Sequence, residues 1–206
     1  FLSARGAKPM HANRIQKHLL RVGADSLRAL DEVPDLPAGL AEAVRAEFTL
    51  CTSRVKEAHT STDGTIKLLV ELQDGLTVES VIIPGGATTG DKPGGNPRTT
   101  LCVSSQIGCK MGCTFCATGT MGEIGHLSAG EICEQLWHAN RYKKVRNVVF
   151  MGMGEPLNNY RAVRAAVGAM TDVQRFKLAP SCVTVSTVGV IPRILDLARD
   201  MPKVNL

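Results

Sequence analysis

The pattern of hydrophobic and polar residues divides the chain into a helical part, a strand-rich part and an alternating part. Two segments carry apolar residues at helical spacing: 8–22 and 37–50. Two strand-like segments follow: 65–72 and 76–84. Asp74 and Gly75 between these two strands are a hairpin signal. We therefore predict a small N-terminal accessory domain over residues 1–84, with helices first and a β-hairpin after them.

A Gly/Pro-rich stretch, residues 85–98, has no apolar content to pack, and it is predicted to be a surface loop and a domain boundary. Over residues 99–206 strand and helix patterns alternate. The strand patterns are 99–105, 146–153 and 182–189, and the helical patterns are 128–142, 159–170 and 191–199. Ser128 and Glu131 form a capping-box pattern at the first of these helices. This alternation predicts an α/β fold with a parallel sheet covered by helices.

Three sequence motifs follow predicted strands. They are the cysteine-rich stretch "CKMGCTFC" at 109–116, "GMGEP" at 152–156 and "STVG" at 186–189. Sites in parallel sheets form at the carboxyl ends of the strands. The three motifs are therefore expected to lie together on one rim of the sheet.

Composition sets broad limits on the class of protein. The chain has 206 residues, a net charge of +5 and 44% hydrophobic residues, which is enough to bury a core. No apolar run approaches the roughly 20 residues of a membrane span, and the N-terminus lacks the apolar region of a signal peptide. The mild positive charge permits a nucleic-acid partner without requiring one. Because the chain starts at Phe1 and stops where a strand begins, near Leu206, we expect it to be part of a longer protein.

Cysteine usage gives the strongest chemical signal. Three of the seven cysteines, Cys109, Cys113 and Cys116, occur with the spacing C-x3-C-x2-C. An odd cysteine count without secretory features favours a reducing compartment and a metal or catalytic use of thiols. A structural zinc site would need a fourth ligand, such as Cys102 or His126. An iron–sulfur cluster held by three thiols would leave one iron open for a small molecule.

The cysteine spacing, with Phe115 before the last cysteine, resembles the signature of the radical S-adenosylmethionine superfamily. Within it, three segments are similar to the adenine-C2 RNA methyltransferase family: 101–122, 146–160 and 183–192. This resemblance implies an incomplete (β/α) barrel after the accessory domain, a [4Fe-4S] cluster and S-adenosylmethionine. It further implies methylation at C2 of an adenine in large-subunit ribosomal RNA, and in bacteria also in transfer RNA.

The resemblance also implies roles for individual residues. The expected cluster ligands are Cys109, Cys113 and Cys116, and the expected S-adenosylmethionine contacts are Gly154, Glu155 and Ser186. Cys102 is implied as a second catalytic thiol and Glu79 as a proton acceptor. From the residues alone, Cys102 reads as a core cysteine and Glu79 as a solvated carboxylate on the outer face of a strand. Cys51, Cys133 and Cys182 match no motif and are interpreted as packing residues.

The family methylates one of its own cysteines first, and that cysteine is expected beyond Leu206, so the 206 residues alone are expected not to methylate RNA. The implied partners are ribosomal RNA, transfer RNA and an electron donor such as flavodoxin or ferredoxin, with no membrane and a monomeric state. The expected location is the cytoplasm, with the chloroplast or mitochondrion as alternatives if a transit peptide was lost. Two other functions stay open: methylation at C8 of the same adenine, and a non-enzymatic RNA-binding module built on a structural metal.

Overall fold

The computed structural model describes residues 1–22, 27–85 and 98–206. Apart from Gly85 and Arg98, the predicted loop 85–98 lies outside the described residues. The two predicted N-terminal helices are confirmed as α1 (Pro9–Val22) and α2 (Leu40–Glu47), with a 3-10 turn at Leu27–Glu32 between them. Their apolar faces meet in an N-terminal core, which also receives a side chain from a later helix. Its buried members include Ile15, Leu19, Leu30, Leu40 and Trp137.

A six-stranded sheet forms the centre of the molecule. In their order across the sheet, the strands are β1 (Arg54–Thr60), β2 (Ile66–Glu71), β3 (Thr77–Ile83), β4 (Thr100–Cys102), β7 (Asn147–Phe150) and β8 (Val183–Val185). Neighbours from β1 to β4 pair antiparallel, whereas β4, β7 and β8 pair parallel. A further parallel bridge joins Thr184 to Asn205. The hairpin at Asp74 and Gly75 is confirmed, and β1 is an additional strand that the pattern did not predict.

Helices cover one face of this sheet and leave the other face open. They are α3 (Ala129–Tyr142), α4 (Tyr160–Thr171) and α5 (Ile191–Asp200). The covered face carries the main core, with fully buried side chains such as Leu101, Val148 and Val183. The open face follows the register Val81–Cys102–Val149–Thr184 across four strands, and these side chains are only half-buried. The α/β class and the partial-barrel architecture are thereby confirmed.

The predicted boundary between an accessory domain and a barrel domain stays a prediction, and two features bear on it. Strand β3 pairs directly with β4, so one sheet continues across residues 85–98. The hairpin also packs into the main core through Leu68 and Ile82, while only the helical segment has a core of its own. Packing therefore groups the hairpin with the later strands.

A separate two-stranded antiparallel ribbon, β5 (Gln106–Cys109) and β6 (Gly122–His126), follows β4. The predicted capping box is confirmed at the start of α3: the Ser128 hydroxyl accepts from Glu131 N, and the Glu131 carboxylate accepts from Ser128 N at 2.7 Å. Among the described residues, no helix is both long and apolar enough to cross a bilayer.

Candidate functional site

The cysteine motif forms a loop between the two strands of the ribbon. Cys109 is the last residue of β5, and Cys113 and Cys116 lie on the turns before β6. The amide of Cys116 donates to the carbonyl of Cys113 at 3.1 Å, which curls the loop tightly. The ribbon closes at Gly108, where a Cβ atom would lie only 1.9 Å from the carbonyl oxygen of Gly122. The local sequence thus folds three thiols onto one short, turn-rich segment.

The donor set of the loop is three thiols, which are the ligands that iron–sulfur clusters use. All three thiols are free and half-buried, and Phe115 beside them is 92% exposed. Two ligands of one zinc ion, each about 2.3 Å from the metal, cannot be more than about 4.6 Å apart. In the described part of the chain, the three Sγ atoms of the loop do not all lie within 4.8 Å of one another. The ligand atoms of Cys51, Glu134 and His138, elsewhere in the molecule, do. At least one pair of the loop thiols therefore lies farther apart than two ligands of one zinc ion would.

The GMGEP loop, which follows β7, lies against the base of the cysteine ribbon. Gln106 at the start of β5 is fully buried, and its Oε1 accepts from Glu155 N at 2.7 Å. Its Nε2 donates to Glu123 Oε2 at 3.0 Å and contacts His126 Nδ1 at 2.9 Å. One buried amide thereby connects the GMGEP loop to both strands of the ribbon. The sequence reasoning did not identify Gln106.

Glu155 joins the loops that follow β7 and β8. Its side chain is 3% exposed, and its Oε1 accepts from Leu157 N at 2.9 Å and from Thr187 Oγ1 at 2.8 Å. Its Oε2 accepts from Val188 N at 2.9 Å. Since these donors neutralise the cost of burying the carboxylate, Glu155 fixes the position of the strand-end loop that begins at Ser186. The expected contacts of Gly154, Glu155 and Ser186 with S-adenosylmethionine stay predictions.

Cys102 and Glu79 share the open face of the sheet. Cys102 lies opposite Val81, which is two residues from Glu79 on β3. Burial raises the pKa of the Cys102 thiol, which is therefore protonated at neutral pH. Glu79 is exposed, and its Oε1 pairs with Lys67 Nζ at 3.0 Å. This contact is compatible with the interpretation as a solvated carboxylate, and the catalytic roles of both residues stay predictions.

The zinc alternative requires a fourth ligand near the three loop thiols, and the candidates were Cys102 and His126. His126 has its Nδ1 on Gln106 and its Nε2 4.0 Å from Glu123 Oε1, so both nitrogens already face neighbours. Cys102 sits on the strand before the ribbon. Within residues 1–22, 27–85 and 98–206, neither joins the three loop thiols in a group of single-ion dimensions.

Comparison with known proteins adds an independent finding. Residues 103–206 match the family profile described as "Radical SAM superfamily". The dual-specificity RNA methyltransferase RlmN of Anaeromyxobacter sp. (strain Fw109-5) is 40% identical over 212 residues, which cover 98% of this chain and 53% of that protein. The probable dual-specificity RNA methyltransferase RlmN of Salinibacter ruber is 41% identical, covering 100% of this chain and 56% of its own length.

A solved structure agrees with these relatives. The crystal structure of a radical SAM methyltransferase from Sphaerobacter thermophilus superposes with a TM-score of 0.82 at 34% sequence identity. The matched region covers 96% of this chain and 56% of the chain in that crystal structure. The chain therefore spans about half the length of the curated relatives that it matches.

Proposed function

The chain belongs to the radical SAM superfamily, and from this membership we propose that it forms the cluster-binding half of an RNA methyltransferase. The observation that carries the proposal is the meeting of three strand-end loops on one rim of the sheet, tied by Gln106 and Glu155. When bound, a [4Fe-4S] cluster supplies the electron that cleaves S-adenosylmethionine. The names of the curated relatives support RNA as the substrate of the complete protein.

Different residues of the rim would bind the cluster and S-adenosylmethionine. Cys109, Cys113 and Cys116 would hold three irons of the cluster and leave the fourth iron open. The loops with Gly154 and Ser186 would bind S-adenosylmethionine. Glu155 keeps these two loops at a fixed separation, because its carboxylate is bonded to both.

The proposed reaction adds a methyl group at C2 of an adenine. Carbon 2 of adenine is electrophilic, so a plain methyl transfer from S-adenosylmethionine would not occur there. We propose the route through a methylated cysteine of the complete protein, with Cys102 as the thiol that resolves the resulting adduct and Glu79 as the proton acceptor. Both side chains project from the open face of the sheet, which supports a shared role. Methylation at C8 is the alternative within the same superfamily.

The proposal includes partners of the complete protein. Ribosomal and transfer RNA are the substrates that we propose, and flavodoxin or ferredoxin would donate the electron. The curated relatives come from bacteria, which favours a cytoplasmic location over the chloroplast or mitochondrion. A monomeric state stays a prediction.

The cluster is tested by metal and sulfide analysis of the protein purified without oxygen. We expect about four irons and about four sulfides per chain, as a [4Fe-4S] cluster requires. Cys113→Ala should lose both, whereas the matched control Cys182→Ala, at a cysteine outside the motif, should keep them. One zinc per chain with no sulfide would contradict the proposal.

Activity is tested in two steps. With dithionite and S-adenosylmethionine, the reconstituted protein should release 5′-deoxyadenosine, and Cys113→Ala should not. Nucleoside analysis of ribosomal RNA treated with the complete protein should then show 2-methyladenosine. Only 8-methyladenosine would favour the C8 alternative. Any 2-methyladenosine made by these 206 residues alone would contradict the expectation that they cannot complete the reaction.

A further inference from the structure

A second group of metal-ligating side chains lies where the N-terminal core meets α3. The Cys51 Sγ, a carboxylate oxygen of Glu134 and a ring nitrogen of His138 all lie within 4.8 Å of one another. None of the three belongs to the cysteine loop or to the loops beside it. Thiolate, imidazole and carboxylate are the ligands that zinc takes in proteins, so the group has suitable chemistry as well as suitable dimensions.

His138 supplies an independent observation. Its side chain is 3% exposed, and Nε2 lies 3.0 Å from Ser53 Oγ. The other nitrogen, Nδ1, is buried and has no hydrogen-bond partner in the described part of the chain. A buried polar atom without a partner costs stability. A bound cation, or a water molecule on it, would give this part of the site the polar partner that the buried imidazole lacks.

Glu134 and Ser53 complete the surroundings of the group. Glu134 accepts from Thr52 N at 2.9 Å, from Thr52 Oγ1 at 3.1 Å and from Ser53 N at 2.8 Å. It also accepts from Ser53 Oγ, whose oxygen contacts His138. Thr52 is exposed, so its hydroxyl can turn to water and release a lone pair of Glu134 for a cation. Ser53 orients the imidazole through its contact with Nε2.

The group borders a cavity of about 1140 Å³, whose lining includes Cys51, Ser53 and His138. The cavity leaves room for a water molecule as a fourth ligand. Burial, with a smaller contribution from Glu134, raises the pKa of the Cys51 thiol to about 12. A bound cation would therefore replace the thiol proton, which passes to solvent as the metal–sulfur bond forms.

We propose that Cys51, Glu134 and His138 bind one divalent cation of the zinc class, which fastens the segment before β1 to helix α3. The site is distinct from the cysteine loop and does not depend on the proposed function. Its role is structural, because it joins the N-terminal core to a helix of the main core.

Cobalt is the probe, because a thiolate ligand gives Co²⁺ an intense near-ultraviolet band and tetrahedral coordination gives visible bands. Co²⁺ is titrated without oxygen into protein that carries Cys109→Ser, Cys113→Ser and Cys116→Ser, so that the loop cannot contribute. We expect both bands to saturate at one equivalent. Cys51→Ser should abolish the near-ultraviolet band and His138→Gln should weaken binding at least tenfold, while the control Cys182→Ser should change neither. Should the triple variant fail to fold, the zinc measurement below is made on protein with the loop cluster reconstituted.

Zinc-dependent stability is the second readout. Zn²⁺ at about 100 times its dissociation constant should raise the midpoint of thermal unfolding by several degrees. This measurement leaves the group intact and decides the matter even where a Cys51 variant is unstable. An unchanged cobalt band in Cys51→Ser would overturn the proposal. Absence of both the band and the thermal shift, in protein with native circular dichroism, would overturn it as well.

Discussion

A Cβ atom on Gly154 would lie 2.5 Å from the Cβ of Gln106, closer than real Cβ atoms approach. Gly154 also has a φ of +96°, which residues with a side chain rarely adopt. The loop after β7 therefore reaches the base of the cysteine ribbon only because residue 154 is glycine. The contact brings the two parts of the proposed site together.

Gly154→Ala tests this close approach. We expect the free energy of unfolding to fall by about 1–3 kcal/mol, because of backbone strain and the clash with Gln106. Cluster content should fall too, because the ribbon must shift. Urea unfolding and iron analysis measure the two effects. Gly168→Ala in α4 is the matched control, since nothing lies within 4 Å of its Cβ, and it should be neutral or stabilise by up to about 1 kcal/mol. Equal stability of the two variants would refute the argument.

Glu155→Gln tests the carboxylate that joins two loops. Glutamine keeps the shape but turns an amide N–H₂ towards a donor, either Val188 N or the pair Leu157 N and Thr187 Oγ1. The unsatisfied donors should lower the free energy of unfolding by about 1–3 kcal/mol. S-adenosylmethionine should bind more weakly in equilibrium dialysis, because the loops separate. The exposed Glu57→Gln on β1 serves as control and should match the wild type in both measurements.

Thiol reactivity should separate the cysteines by burial. Burial raises the pKa of Cys102, that of Cys51 to about 12 and that of Cys133 to about 11. Only the thiolate reacts with iodoacetamide, so these three should label slowly at pH 8 and faster as the pH rises. Mass spectrometry after timed alkylation of cluster-free protein gives the rates, with urea-unfolded protein as the reference. Labelling of Cys51 at its unfolded rate would contradict the structure.

Acid should destabilise the protein partly through His138. Burial lowers the pKa of His138 below the ordinary value of 6.5. Arg141 lowers this pKa further, whereas Glu134 and Ser53 raise it by less than burial lowers it. The unfolded chain then takes up this proton at a higher pH than the folded chain does. Stability from this group is present above about pH 6.5 and is lost as the pH falls towards the folded pKa. Urea midpoints at pH 7, 6 and 5 should therefore decline less in His138→Gln than in the wild type; identical declines would show that His138 contributes nothing.

The sequence was informative wherever a local pattern decides local structure. The capping box at Ser128, the hairpin at Asp74 and the apolar strand β7 all follow from a few neighbouring residues. Strand β1 was missed because almost all of its side chains are exposed, so it shows no apolar alternation. The ribbon of β5 and β6 was missed for a related reason: glycines and polar residues interrupt the strand pattern.

The candidate site was predictable only in part. Motif spacing identified the loop of Cys109, Cys113 and Cys116, and the order of strands placed the loops on one rim. Gln106 could not be identified, since its partners Glu155 and Glu123 lie 49 and 17 residues away along the chain. Cys51 is a similar case, because only the fold brings it beside α3. Long-range polar contacts leave no periodic signal in a single sequence.

The order of strands in the sheet has a consequence for how the protein is made. From β1 to β8, each strand of the six-stranded sheet pairs with the strand that precedes it in that sheet. Each segment emerging from the ribosome can therefore add to an edge that is already in place, and none has to insert between strands already paired. Domains generally form as units during synthesis, with N-terminal parts first. We expect the sheet to assemble vectorially, with its growing edge always at the newest strand.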